Sequence, residues 1–126
     1  METNVKSKKA IIRRAGECKV VSEAWGGLTW YASAAQGNSA HITVGKCVIK
    51  PGKENPLHSH PNCDEVLVVQ QGTIMHTIED GREVKLGPGD VITLPAGLSH
   101  NARNISEVDA ILAIAFSSAE RETKGE

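Results

Sequence analysis

The chain lacks an excess of either charge. Its 14 lysines and arginines nearly balance 15 aspartates and glutamates, for a net charge of -1. That balance excludes the basic stripe expected of a nucleic-acid or anionic-membrane binder. The basic residues of "KSKKAIIRR" near the N-terminus read as a solvated leading segment. Long apolar runs are also missing. The run "AILAIAF" (Ala110 to Phe116) has strand length, well short of the ~18 residues a membrane span needs. The N-terminus has no apolar signal-peptide core. Cysteine is sparse: Cys18, Cys47 and Cys63 are an odd set without CxxC spacing. This argues against a disulfide framework and for a reducing, cytoplasmic setting. Aromatic residues make up 3% of the chain, namely Trp25, Trp30, Tyr31 and Phe116.

Helical periodicity is hard to find as well. What is there instead is a series of short β-rich runs separated by Gly, Pro, Asn and Asp. The expected strands are Leu28 to Ala34, Ala40 to Lys50, Glu65 to Gln71, Thr73 to Glu79, Arg82 to Leu86, Asp90 to Pro95, Ser99 to Asn104 and Val108 to Phe116. Asp80-Gly81 reads as a tight hairpin turn and "LGPGD" (Leu86 to Asp90) as a second turn. The ends, before about Lys9 and after about Ser118, are expected to fray. No repeat or linker divides the chain, so residues 1–126 are expected to form a single domain. So many short strands avoid exposed edges most economically by closing into a double-sheet jelly roll or barrel, with side chains alternating between lumen and outside.

That alternation directs attention to histidine. His58 and His60, two residues apart, face the same side of an extended segment. Glu65 heads the next strand and shares its face with Leu67 and Val69. His100 stands in "LPAGLSHNARN", just past a Pro/Gly turn. Three imidazoles and one carboxylate make a mixed nitrogen and oxygen set suited to Mn, Fe, Ni, Co, Cu or Zn, and unsuited to Mg or Ca. An HxH pair alone arises often by chance and carries little weight.

The spacing adds more. Gly52 to Gly72 fits G-x5-HxH-x3,4-E-x6-G through Gly52, His58, His60, Glu65 and Gly72. Gly89 to Asn104 fits G-x5-PxG-x2-H-x3-N through Gly89, Pro95, Gly97, His100 and Asn104. In these two segments the chain resembles the cupin superfamily, and within it the small single-domain metal-binding cupins. The resemblance implies an all-β, single-domain cupin β-barrel (a double-stranded jelly roll) with motifs at residues 52–72 and 89–104. It also implies one divalent transition metal per chain (Mn, Fe, Ni or Zn) held by His58, His60, Glu65 and His100.

Four protein ligands on an octahedral ion leave two positions for water or substrate, the mark of a catalytic site. With one carboxylate the site carries about +1, favouring an anionic or bidentate oxygen ligand such as a carboxylate, α-keto acid, enediol or diketone. The expected function is therefore a metal-dependent enzyme acting on a small anionic or oxygenated molecule. Similar cupins include dioxygenases, decarboxylases, isomerases and lyases, and the fold does not choose among them. A metal-containing binding or sensing module without turnover is the alternative.

His76 is the candidate catalytic acid or base, provided that the lumen takes its face with Ile74 and Ile78. His41, Tyr31 and Cys63 are weaker candidates, and Cys63 is expected to be partly exposed and inert. Asp64 should point away from the metal as a solvated acid, and Asn104 should brace a turn. Trp30 is expected to pack in the core or at a dimer contact, with a pocket wall as the sharper alternative. The expected partners are a small-molecule ligand and a second copy in a homodimer, with no nucleic acid and no membrane.

Overall fold

The computed structural model describes residues 9–125. Its strands are β1 (Lys19–Glu23), β2 (Gly26–Ala32), β3 (Thr43–Ile49), β4 (Glu65–Gln71), β5 (Ile74–Thr77), β6 (Glu83–Leu86), β7 (Val91–Leu94), β8 (Ala102–Asn104) and β9 (Ala110–Phe116). Two single 3₁₀ turns, Ala15–Glu17 and Glu79–Gly81, are the helical pieces among the described residues. No helix among them is long and apolar enough to cross a membrane. A six-stranded sheet runs β1-β2-β3-β9-β4-β7 and a three-stranded sheet runs β6-β5-β8. This is the expected all-β jelly roll.

Alternation decides which face is buried. Along β3 Thr43, Gly45, Cys47 and Ile49 are buried, and along β9 Ala110, Leu112, Ile114 and Phe116. Register aligns these positions: Cys47 lies opposite Leu112, which lies opposite Val69. Ile74 and Ala102 of the smaller sheet pack into the same core. A one-residue slip in any of these pairings would turn an apolar row to solvent, so the pattern pins the register.

Turn chemistry closes the hairpins. Asp80 and Gly81 both take positive φ, 63° and 73°, in the three-residue Glu79–Gly81 turn between β5 and β6, which the Ile78 N–H closes on the Arg82 carbonyl at 2.7 Å. Asn104 is fully buried. Its amide donates to the Ile49 and Val108 carbonyls, and its Oδ1 accepts from the backbone and hydroxyl of Ser106. It braces the turn into β9 as expected.

Two expectations fail. The segment Lys19–Glu23 was not foreseen as a strand, because "KVVSE" lacks turn punctuation and a buried face; it is an edge strand held by β2. The stretch after Ser118 does not fray. Ala119 is buried, and Lys124 exchanges two backbone hydrogen bonds with Ser59. Nothing in the polar composition of this tail announces that the segment 58–62 offers it backbone partners. The expected fraying before Lys9 lies outside the described residues.

Candidate metal centre

Backbone bonding brings the two motifs together. His58 and His100 form an antiparallel bridge, with N–H to O distances of 3.0 Å and 2.7 Å in the two directions. The Gly97 N–H donates to the His60 carbonyl at 2.9 Å. Gly97 holds φ at 85°, where a side chain would be strained, and this turn delivers His100 to the bridge. Glu65 opens β4 on its buried face, with Leu67 and Val69 behind it, as alternation requires.

The result is a tight cluster. The donor atoms of His58, His60, Glu65 and His100 all lie within 4.8 Å of one another, and all but His58 are buried. Nε2 of His100 is 3.0 Å from Glu65 Oε1 and Nε2 of His60 is 3.2 Å from the same oxygen.

Hydrogen bonds behind the rings fix which nitrogen faces inward. Nδ1 of His58 meets the Pro56 carbonyl at 2.7 Å, Nδ1 of His60 the Glu122 carbonyl at 3.0 Å, and Nδ1 of His100 the Leu98 carbonyl at 2.9 Å. A carbonyl oxygen can only accept, so each Nδ1 carries the proton. With the rings neutral, each aims an Nε2 lone pair at the cluster centre, beside a carboxylate that also only accepts. Buried Nε2 of His60 has no hydrogen-bond partner despite its nearness to Glu65. Converging lone pairs in a buried place call for a cation, and the donor set suits a divalent transition ion. The residues therefore fit the metal that the motifs imply.

Electrostatics agree. Burial pushes the Glu65 carboxyl up, but His100 and His60 against it outweigh that and hold it at about 2. Burial pulls His100 down, yet contact with Glu65 overcomes this and leaves it raised. His58 is lowered, first by burial. The site thus keeps its carboxylate ionised.

The cluster sits in a cavity of about 330 Å³, at the small end of ligand pockets. Its wall is mixed: Trp25, Leu28, Leu67, Leu112 and Ile114 line it together with the four cluster residues. His76 faces this cavity. It is buried, lies nearly parallel to the His100 ring with centroids 5.7 Å apart, and its Nδ1–H donates to the Thr77 carbonyl at 2.7 Å. Burial lowers its pKa, so the neutral form with Nε2 as acceptor prevails.

Other candidates fall elsewhere. His41 and Tyr31 are exposed, and neither they nor Cys63 line the cavity. Cys63 is buried, against expectation, because the loop before β4 packs it into the hydrophobic core; burial pushes its thiol up. Asp64 is exposed, but it accepts the Ala96 N–H at 3.0 Å and so ties the first motif to the second motif's turn. Trp30 takes the sharper of its two readings and lines the cavity. Gly45 makes room for it: a Cβ there would stand 2.6 Å from Trp30 Cε3. Sequence reasoning missed Arg121 altogether. It lines the cavity with its guanidinium carbon 4.2 Å from the Trp30 ring centroid. The one available signal was a lone arginine after the last apolar strand, which has no motif around it.

Comparison with known proteins agrees with this architecture. Residues 45–116 match the family model described as the cupin domain, and the chain belongs to that family. Germin-like protein 3-8 of Oryza sativa subsp. japonica is 32% identical over 85 residues, covering 64% of this chain and 38% of that protein. Auxin-binding protein ABP19b of Prunus persica is 35% identical over 85 residues, covering 64% of this chain and 41% of that protein. The chain thus spans about two fifths of the length of these curated relatives. Among solved structures, oxalate decarboxylase of Lactobacillus farciminis in a formate complex superposes with a TM-score of 0.78 at 21% identity, over 87% of this chain and 34% of that one. Oxalate oxidase in complex with the substrate analogue glycolate gives 0.75 at 20% identity, over 91% and 62%. These likenesses show the jelly-roll fold.

Proposed function

We propose that this cupin is a metal-dependent enzyme acting on a small anionic or oxygen-rich organic molecule. One observation carries the reading: three imidazoles with committed Nδ1 protons and one ionised carboxylate converge at the wall of a cavity that Trp25, Leu28, Leu112 and Ile114 also line. His58, His60, Glu65 and His100 would hold one ion of Mn, Fe, Ni or Zn. Such an ion, when bound, supplies Lewis acidity toward a ligand oxygen. His76 Nε2 can accept or return a proton beside His100. Structural neighbours named as oxalate decarboxylase and oxalate oxidase support a small carboxylic acid or its analogue as the class of substrate.

The reading extends to assembly and setting. We assign residues 1–126 to one domain that pairs as a homodimer. Support comes from the outward face of the six-stranded sheet, where Val44, Val48, Val66, Val68, Val91 and Ile111 stand in adjacent registers. A monomeric mass in sedimentation at micromolar concentration would refute the dimer. Cys18, Cys47 and Cys63 form no disulfide, which supports a cytoplasmic setting.

The test of function begins with elemental analysis of protein from its native host. Metal-loaded protein is then titrated with oxalate, acetylacetone and a neutral alcohol, and turnover is screened on each metal. Preference for the anionic chelators with turnover supports the proposal. Equal affinity for all three would sink it, and stabilisation without turnover on any metal would make the protein a binding module.

A further inference from the structure

Strand register sets the cavity floor at regular steps from the cluster. Glu65 pairs with Phe116, which pairs with Thr43. Two residues along the same strands, Leu67, Ile114, Gly45 and Trp30 stand in one row. Two residues further, Val69, Leu112, Cys47 and Leu28 form the next. A strand rises about 3.4 Å per residue, so these rows lie about 7 Å and about 14 Å from the Glu65 row. Leu67, Ile114 and Trp30 of the nearer row line the cavity, as do Leu112, Cys47 and Leu28 of the farther one. The row after that holds Ile49 and Ala110, which are fully buried and do not line it. The floor is therefore two rows long, with the cluster at one end.

Gly45 shapes the nearer row. Because it has no Cβ, the Trp30 indole lies over β3, with Cε3 2.6 Å from where that Cβ would stand. The indole also meets Phe116, with ring centroids 6.0 Å apart. Across the cavity His76 and Ala102, paired between β5 and β8, supply the other wall. The remaining polar lining residues are engaged or exposed. Asn55 accepts the Ala102 N–H at 2.8 Å, Arg121 donates to the Thr123 hydroxyl oxygen, and Glu23 is exposed. Apart from the Cys47 thiol, the two rows offer a ligand only apolar contact.

We propose that these two rows form a subsite for the apolar body of the ligand. The ligand offers paired oxygens to the metal and lays an aryl or similarly short hydrocarbon group over Trp30, Ile114 and Leu112. This rests on the metal-site reading above and narrows its substrate class. A two-carbon dianion held at the cluster would leave the farther row without a partner. An apolar body over both rows leaves water and adds affinity that the same oxygen head alone does not have.

Acetylacetone and benzoylacetone share a β-diketone head and differ by a methyl against a phenyl group. Binding of each is measured by calorimetry on the Mn(II)-loaded protein, for wild type and two variants. Leu112→Phe fills part of the farther row, and Leu28→Asn places an amide in it. Metal content is measured in parallel. Wild type should prefer benzoylacetone by roughly ten- to a hundredfold, the range for burying one aryl group. That preference should fall severalfold in each variant that folds, with its metal content kept. Equal or weaker binding of benzoylacetone by wild type, or an undiminished preference in either folded variant, would overturn the proposal. Wild-type protein that takes up no metal would instead overturn the metal-site reading.

Discussion

Replacing Glu65 with glutamine separates the stability of the cluster from its affinity for metal. In the metal-free protein Glu65 Oε1 faces His100 Nε2 at 3.0 Å and His60 Nε2 at 3.2 Å. Both Nδ1 protons are committed to carbonyls, so in the absence of an ion the carboxylate is served by a second proton on a ring. Burial lowers the pKa of His100, but contact with Glu65 outweighs it and raises that pKa in this direction. A glutamine amide keeps the shape and can donate to a ring nitrogen. It cannot keep the ion pair, however, so metal-free Glu65→Gln should be less stable than metal-free wild type at neutral pH. Its response to metal should differ. At a hundred times its dissociation constant, an ion binding only the folded state adds about 2.7 kcal/mol. For a domain of this size each kcal/mol moves the melting midpoint by about 4 °C, so wild type should gain about 10 °C. Glu65→Gln removes the one anionic ligand, and at the same ion concentration the gain should fall to a few degrees at most. Differential scanning calorimetry of chelator-stripped protein, with and without Mn(II), Fe(II), Ni(II) or Zn(II), reads both effects. A full metal-induced shift in Glu65→Gln, or no shift in wild type with any of the four, refutes the reasoning.

Asn104→Asp should cost about 3 kcal/mol in urea unfolding, because it places a carboxylate against the Ile49 and Val108 carbonyls that Nδ2 now serves. Gly45→Ala should cost about 1–3 kcal/mol by overpacking against Trp30, with a shift in tryptophan fluorescence; unaltered emission and stability would contradict the packing described. Truncation after Ser118 removes the acceptor of the His60 Nδ1 proton, and metal affinity in competition with a chelator should fall roughly ten- to a hundredfold. In metal-free protein the depressed Glu65 pKa makes a contribution to stability that is complete above its ordinary value of 4.5 and lost as pH falls toward about 2. Glu65→Gln should flatten that part of the pH–stability curve measured by urea unfolding.

Much of the architecture was legible because alternation and turn chemistry are local. Period-two burial in β3, β4 and β9 follows directly from the order of apolar residues, and Asp80-Gly81 announces its own turn. The edge strand β1 was illegible because its residues bury little and owe their conformation to β2. His76 could be placed on a face of its strand, but which face met the lumen depended on how β5 pairs with β6 and β8. Cys63 was misjudged because loop residues carry no alternation to read.

The candidate metal cluster was legible in spacing, since His58, His60, Glu65 and His100 each sit at a fixed distance from a turn-forming glycine or proline. Sequence alone determined the jelly roll, the cupin motifs and those four residues, because each rests on short-range geometry. Tertiary structure decided which nitrogen of each ring faces the centre, that His76 and Trp30 share the cavity, and that a polar tail returns to hold His60 and aim Arg121 inward. The tail meets its partners far along the chain, Thr123 lying 63 residues from His60, so no local pattern could record those contacts.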